Sequence, residues 1–209
     1  MLVQDCMTRN PISIRPESDP VAAIGLLKAG GFRHLPVLDA EGRLVGIVDR
    51  TDMETFLSKA GSPGVMKRNH RVDQLMNRNV ISVAPTCPLE EAASLMVQHK
   101  IGSLPVLEDY KLVGIITETD VFRRFAEVLG GGTSSLRLTV QVDDKPGQLA
   151  EVAGRVASVE GNITSIVAFD AGKPQRMNFT IRVQGVEQEV LLRAVSGVPG
   201  VEVLHYWSC

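Results

Sequence analysis

Residues 3–57 recur as residues 72–125, and this internal duplication constrains the fold more than any other feature of the chain. The offset is 69 up to Asp39 and 68 from Gly42, so the second copy has lost one turn residue. Nineteen aligned positions are identical. They include Met7/Met76, Arg9/Arg78, Pro16/Pro85, Leu35-Pro36-Val37-Leu38/Leu104-Pro105-Val106-Leu107, Leu44-Val45-Gly46-Ile47/Leu112-Val113-Gly114-Ile115 and Thr51-Asp52/Thr119-Asp120.

Each copy predicts the order β-α-β-β-α. A short strand (Ile12–Ile14; Ile81–Val83) leads into a helix. In the first copy Asp19 suits the N-cap, Pro20 the first helical position and Gly30-Gly31 the stop. Ala23, Ile24 and Leu27 form its apolar face. In the second copy Thr86 opens the helix, Ala92, Leu95 and Met96 form the face, and Gly102 follows its end. A hairpin comes next, Leu35–Leu38 with Leu44–Val48 and Leu104–Leu107 with Leu112–Ile116. A last helix starts at Asp52 or Asp120. Ser58–Arg71 joins the copies.

This unit resembles the CBS motif, which occurs in pairs, and the resemblance covers residues 1–128. It implies an adenine nucleotide (AMP, ADP or ATP) or S-adenosylmethionine as a regulatory ligand. Thr117 at a strand end, with Asp120 three residues on, suits it: a carboxylate accepts both hydroxyls of a ribose, and a threonine hydroxyl donates to phosphate. Helix capping is the other role open to this pair. The first copy has Asp49 where the second has Thr117, and an acid beside phosphate is repulsive. Before Leu-Pro-Val the copies carry Arg33-His34 and Gly102-Ser103. The resemblance implies that each site is completed by this loop of the other copy. Thr117 and Asp120 would then face Arg33 and His34, and Asp52 would face Gly102 and Ser103. One good nucleotide site is therefore expected, at Asp120. Ile81 and Leu104 are candidates for packing on the base. Arg33 and His34 could equally be a solvated charge and a structural histidine.

Beyond Gly130–Ser135, a flexible linker by composition, the pattern changes. Leu136, Leu138, Val140 and Val142 alternate as a strand. Leu149, Val152, Ala153, Val156 and Val159 have helical spacing. Strands at Ile163–Asp170 and Met177–Val183, a helix at Glu187–Val195 and a strand at Val201–Trp207 complete a ferredoxin-like β-α-β-β-α-β order. The run Asp144-Lys145-Pro146-Gly147-Gln148-Leu149, then Gly161-Asn162-Ile163, resembles an ACT domain. That implies side-by-side pairing, with an amino acid bound near Asp144, Gly147, Gln148, Leu149, Asn162 and Ile163, or pairing alone. The expected domains are CBS repeats at 1–60 and 61–129, a linker at 130–135 and an ACT domain at 136–209, an α/β (α+β) fold. This CBS-CBS-ACT arrangement resembles the AcuB-type acetoin-utilisation family, which implies a homodimeric regulator acting on another protein.

Other functions find little support. Net charge is −2, which argues against nucleic acid and anionic membrane as partners. No apolar run approaches the ~20 residues of a membrane span, and no signal peptide is expected at Met1–Asp5. Cys6, Cys87 and Cys209 are scattered, as thiols of a reducing cytoplasm would be. His34, His70, His99 and His205 are isolated. With no Ser-His-Asp set, Walker loop or metal cluster, neither catalysis, a metal nor a cofactor is expected. A ligand-free oligomerisation module is the alternative reading.

Overall fold

The computed structural model describes residues 1–59 and 70–208 and divides into two compact units, Met1–Phe122 and Arg123–Cys209. Most of the segment that joins the repeats, and Cys209, lie outside the described residues. The fold is mixed α/β.

The first repeat contains β1 (Thr8–Arg9), α1 (Pro20–Gly30), β2 (His34–Leu38), β3 (Leu44–Asp49) and α2 (Arg50–Lys59). The second contains α3 (Leu89–His99), β4 (Ser103–Glu108), β5 (Lys111–Thr117) and α4 (Glu118–Val128). Helix α1 begins and ends where its sequence signals lie. Asp19 Oδ1 accepts from the Val21 amide at 2.8 Å, and Gly31 takes the left-handed conformation, φ 65°. Its buried face, Ala23, Ile24 and Leu27, packs with Leu35, Val37, Val48 and Met53.

Three expectations shift. Helix α3 starts at Leu89, not Thr86: the Cys87 amide closes a turn onto Ala84, Pro88 caps the helix, and the Leu89 amide donates to the Met1 carbonyl. Its stop is Lys100, left-handed at φ 53°. The leading strands shrink to single parallel bridges, Ile14 with Val37 and Val83 with Val106. Helices α2 and α4 start at Arg50 and Glu118, two residues before Asp52 and Asp120, because the preceding Asp49 and Thr117 serve as caps.

The repeats are interlocked by a symmetric exchange. The entry segment of each pairs with the hairpin of the other: β1 lies against β5 through Thr8–Ile115 and Arg9–Gly114, and Asn77 and Ile47 exchange both backbone hydrogen bonds, at 2.8 and 3.0 Å. The amides of Val3 and Gln4 donate to Cys87 and Pro85, as those of Val72 and Asp73 donate to Ser18 and Pro16. Met7 lies over Gly114 and Met76 over Gly46, so closely that a Cβ at either glycine would overlap the methionine side chain.

The second unit contains β6 (Leu136–Asp143), α5 (Gln148–Ser158), β7 (Asn162–Asp170), β8 (Arg176–Gln184), α6 (Gln188–Ser196) and β9 (Glu202–Ser208). The antiparallel sheet has the order β7-β8-β6-β9, the ferredoxin-like arrangement. Leu138, Val140, Val142, Phe179, Ile181 and Val183 form one sheet face and pack with Val152 and Val156 of α5 and Leu191 and Val195 of α6. Gly161 is needed where the chain leaves α5: a Cβ there would lie 2.8 Å from Val156 and Val183. The opposite sheet face is polar but buried at its centre, with Thr139 bonded to Thr180 at 2.8 Å and Gln141 to Asn178 at 3.1 Å.

Candidate functional site: the cleft between the repeats

The hairpins end side by side. In each, the first residue of one strand opposes the last residue of its partner: His34 opposes Asp49, and Ser103 opposes Thr117. The Arg50 amide donates to the Arg33 carbonyl at 2.8 Å, and the Glu118 amide to the Gly102 carbonyl at 3.1 Å. A cavity of about 420 Å³ opens here, within the size range of small-molecule sites. The first repeat supplies Arg33, His34, Ile47, Asp49 and Asp52. The second supplies Asn77, Asn79, Val80 and Ile81 from its entry segment, Lys100–Ser103 from the loop before β4, and Glu118.

Of the nine candidates in this unit, the cavity brings together Arg33, His34, Asp52, Ile81, Gly102 and Ser103. Thr117 and Asp120 do not line it, and Leu104 is wholly buried. The expected division of the loops also differs. Asp52 shares its cavity with Gly102 and Ser103, and Arg33 and His34 share it too. His34 is tied to its own hairpin, with Nε2 3.1 Å from Asp49 Oδ2, because the strand register places the two opposite each other. Arg33 Nη2 lies 3.8 Å from Glu118 Oε2. The His34 imidazole has its pKa lowered, chiefly by burial; Asp49 acts in the opposite direction.

The two carboxylates at corresponding places are in different states. Asp120 is engaged in a cap: its Oδ2 accepts from the Thr117 hydroxyl at 2.7 Å and the Thr117 amide at 3.0 Å, while Thr117 Oγ1 accepts from the Asp120 amide at 3.3 Å. In the first repeat Asp49 does the capping, accepting from the amides of Thr51 at 2.6 Å and Asp52 at 3.3 Å. That leaves the Asp52 carboxylate at the cavity wall with no hydrogen bond or ion pair among the described residues. Ser103 Oγ is a second such group. The residue is only 5% exposed and its hydroxyl finds no partner, which is costly unless something binds there. Asn77, Asn79 and Lys100 were not marked by their sequence. They reach the cavity through the exchanged pairing of the repeats, which neither repeat shows alone.

In the second unit the six candidates separate. Asp144, Gly147, Gln148 and Leu149 lie where β6 ends and α5 begins, and Gly147 takes φ 93°. Asn162 and Ile163 start β7, opposite Gln184 and Val183. Because Asp143 pairs with Arg176 at the other end of β8, the two groups are separated by roughly 25 Å of strand. Gln148 is 3% exposed, and its Oε1 has no hydrogen-bond partner among the described residues.

Comparison with known proteins agrees with the interlocked pair. The CBS domain model matches residues 3–59 and 72–127. The CBS domain pair solved in complex with 5′-methylthioadenosine and S-adenosyl-L-methionine is similar at 30% identity with a TM-score of 0.54, over 61% of this chain and 97% of that one. A Vibrio cholerae protein named as a candidate acetoin utilization protein (AcuB) gives 35% and 0.55, over 62% and 93%. CBSX2 in complex with AMP gives 29% and 0.53, over 61% and 97%. The chain spans only 23% of the length of a 30%-identical relative from Methanocaldococcus jannaschii, L-aspartate semialdehyde sulfurtransferase, with which it matches over 125 residues. By the match of both repeats, the chain belongs to the CBS-domain family.

Proposed function

We propose that this protein is a non-catalytic regulatory sensor that binds an adenosine-bearing ligand in the cleft between its CBS repeats. The observation that carries the reading is the pairing, in one cavity, of a carboxylate and a buried hydroxyl that both lack partners among the described residues. Asp52 suits the two hydroxyls of a ribose, Ser103 offers a further donor, and Ile81 and Ile101 offer apolar surface to a base. Similar CBS pairs hold 5′-methylthioadenosine with S-adenosylmethionine, or AMP. Thr117 and Asp120 stand as a second candidate site, which a ligand reaches only by competing with their cap.

The C-terminal unit extends the proposal. Its strand order and its Gly147 turn support an ACT-type regulatory domain; the AcuB similarity, which covers 62% of the chain, supports a role in acetoin utilisation, and the reading includes a cytoplasmic homodimer acting on another protein. An amino acid contacting both the Gly147 and Asn162 groups requires two copies, because one copy holds them at opposite ends of the sheet. Tyr206 and Trp207 on edge strand β9, 52% and 61% exposed, favour pairing without a ligand as the second reading for this unit.

Thermal unfolding of the full chain with adenosine compounds tests the sensor. At about 100 times Kd a cleft ligand adds about 2.7 kcal/mol. No shift with 5′-methylthioadenosine, S-adenosylmethionine, AMP, ADP or ATP would overturn the reading.

A further inference from the structure

The charges that line the cleft are unbalanced. Arg33 and Lys100 face three carboxylates, those of Asp49, Asp52 and Glu118. Arg33 is drawn toward Glu118, at 3.8 Å, and the buried imidazole of His34 is disfavoured as a cation. The start of α2, where free amides would attract phosphate, is already occupied: the Thr51 and Asp52 amides both donate to Asp49 Oδ1. A phosphate placed there would lose those donors and meet a carboxylate. The corresponding place in the second repeat carries the neutral Thr117, so this property belongs to the Asp52 side. The buried, unpartnered Ser103 hydroxyl adds a neutral donor.

We propose that the Asp49–Asp52 cleft is charge-selective: it takes adenosine compounds whose 5′ substituent is neutral or cationic, such as a thioether or a sulfonium, and rejects nucleoside triphosphates, with Asp49 as the discriminating residue. This rests on the sensor reading above and narrows it. The ribose and base contacts are common to the whole ligand class. Discrimination arises at the 5′ position, where the Asp49 charge repels a polyphosphate and tolerates or attracts a sulfonium.

Calorimetric titration of the full chain with 5′-methylthioadenosine, S-adenosylmethionine and ATP tests the proposal. Parallel titrations of Asp52→Ala show which heat comes from this cavity. Binding of the thioether and the sulfonium at least about tenfold tighter than ATP is expected. In Asp49→Asn, which keeps a capping oxygen and removes the charge, that ratio should narrow at least about fivefold. ATP binding as tightly as 5′-methylthioadenosine in this cavity would overturn the charge selectivity and leave the sensor reading standing. An unchanged ratio in Asp49→Asn would overturn the assignment to Asp49. Binding of none of the three, or equal heats in Asp52→Ala and the wild type, would overturn both this inference and the cleft as a site.

Discussion

His34 Nε2 lies 3.1 Å from Asp49 Oδ2 across the end of the first hairpin, where the second hairpin sets Ser103 opposite Thr117. A duplicated fold thus carries an ionisable pair at the end of one hairpin and two hydroxyl residues at the end of the other. The asymmetry gives the cleft its chemistry.

The pair makes stability depend on pH. The groups acting on His34 are Asp49, Glu118 and Asp52, which favour its charged form, and Arg33 with burial, which oppose it. Burial dominates, so the folded pKa lies below the ordinary 6.5. The unfolded chain then binds the proton more readily, and folding stability from this group is complete above 6.5 and falls as pH drops below it. Chemical denaturation between pH 5 and pH 8 should show that loss. In His34→Ser, which copies Ser103, the loss should shrink. A wild type that gains stability on acidification in this range would contradict the sign.

Gly46 and Gly114 should tolerate no side chain. Gly46→Ala presses a methyl against Met76, and overpacking of this kind costs about 1–3 kcal/mol. Urea titration should show this loss, and Met76→Ala should recover part of it in the double variant, because the contact removed is the one that clashed. Additive losses in the double variant would mean that the close approach does not limit the fold.

Helix α4 depends on its cap. Thr117→Val removes the hydroxyl that exchanges hydrogen bonds with Asp120, and loss of an N-cap costs about 0.5–2 kcal/mol. Asp52→Ala, whose carboxylate caps nothing, should cost less. Denaturant midpoints for both variants check this ordering; an equal or larger loss in Asp52→Ala would reverse the roles given to the two aspartates.

Much of this was legible in the sequence because its signals are local. Asp19, Pro20 and Gly31 fix α1, and the alternation from Leu136 to Val142 fixes β6. What was not legible depends on partners far along the chain. Helix α3 starts late because Met1 receives the Leu89 amide, and Asn77 reaches the cavity because its segment pairs with Ile47 of the other repeat. The Thr117–Asp120 spacing suits both a ribose site and a cap, and its place in the repeat favours the ribose site; in the structure the two side chains are hydrogen-bonded to each other as a cap. The six ACT-like candidates form one motif in sequence and two clusters in space, because helix α5 carries the chain from one end of the sheet to the other between them.

In the second unit, Gln148→Met should be neutral or stabilising in the free protein, since it replaces a buried carbonyl oxygen that lacks a partner with a thioether of similar shape. Thermal unfolding is the check. A loss above about 1 kcal/mol would mean that this oxygen is satisfied in the folded protein.

The most direct test of the cleft is calorimetric titration of 5′-methylthioadenosine into the wild type, Asp52→Ala and Asp120→Ala. If the ligand sits as proposed, Asp52→Ala removes hydrogen bonds to the ribose worth about 1.5–3 kcal/mol, so Kd should rise about 10- to 100-fold. Asp120→Ala should weaken binding far less, because its carboxylate caps α4. Equal losses in the two variants, or a larger loss in Asp120→Ala, would contradict the placement of the ligand beside Asp52.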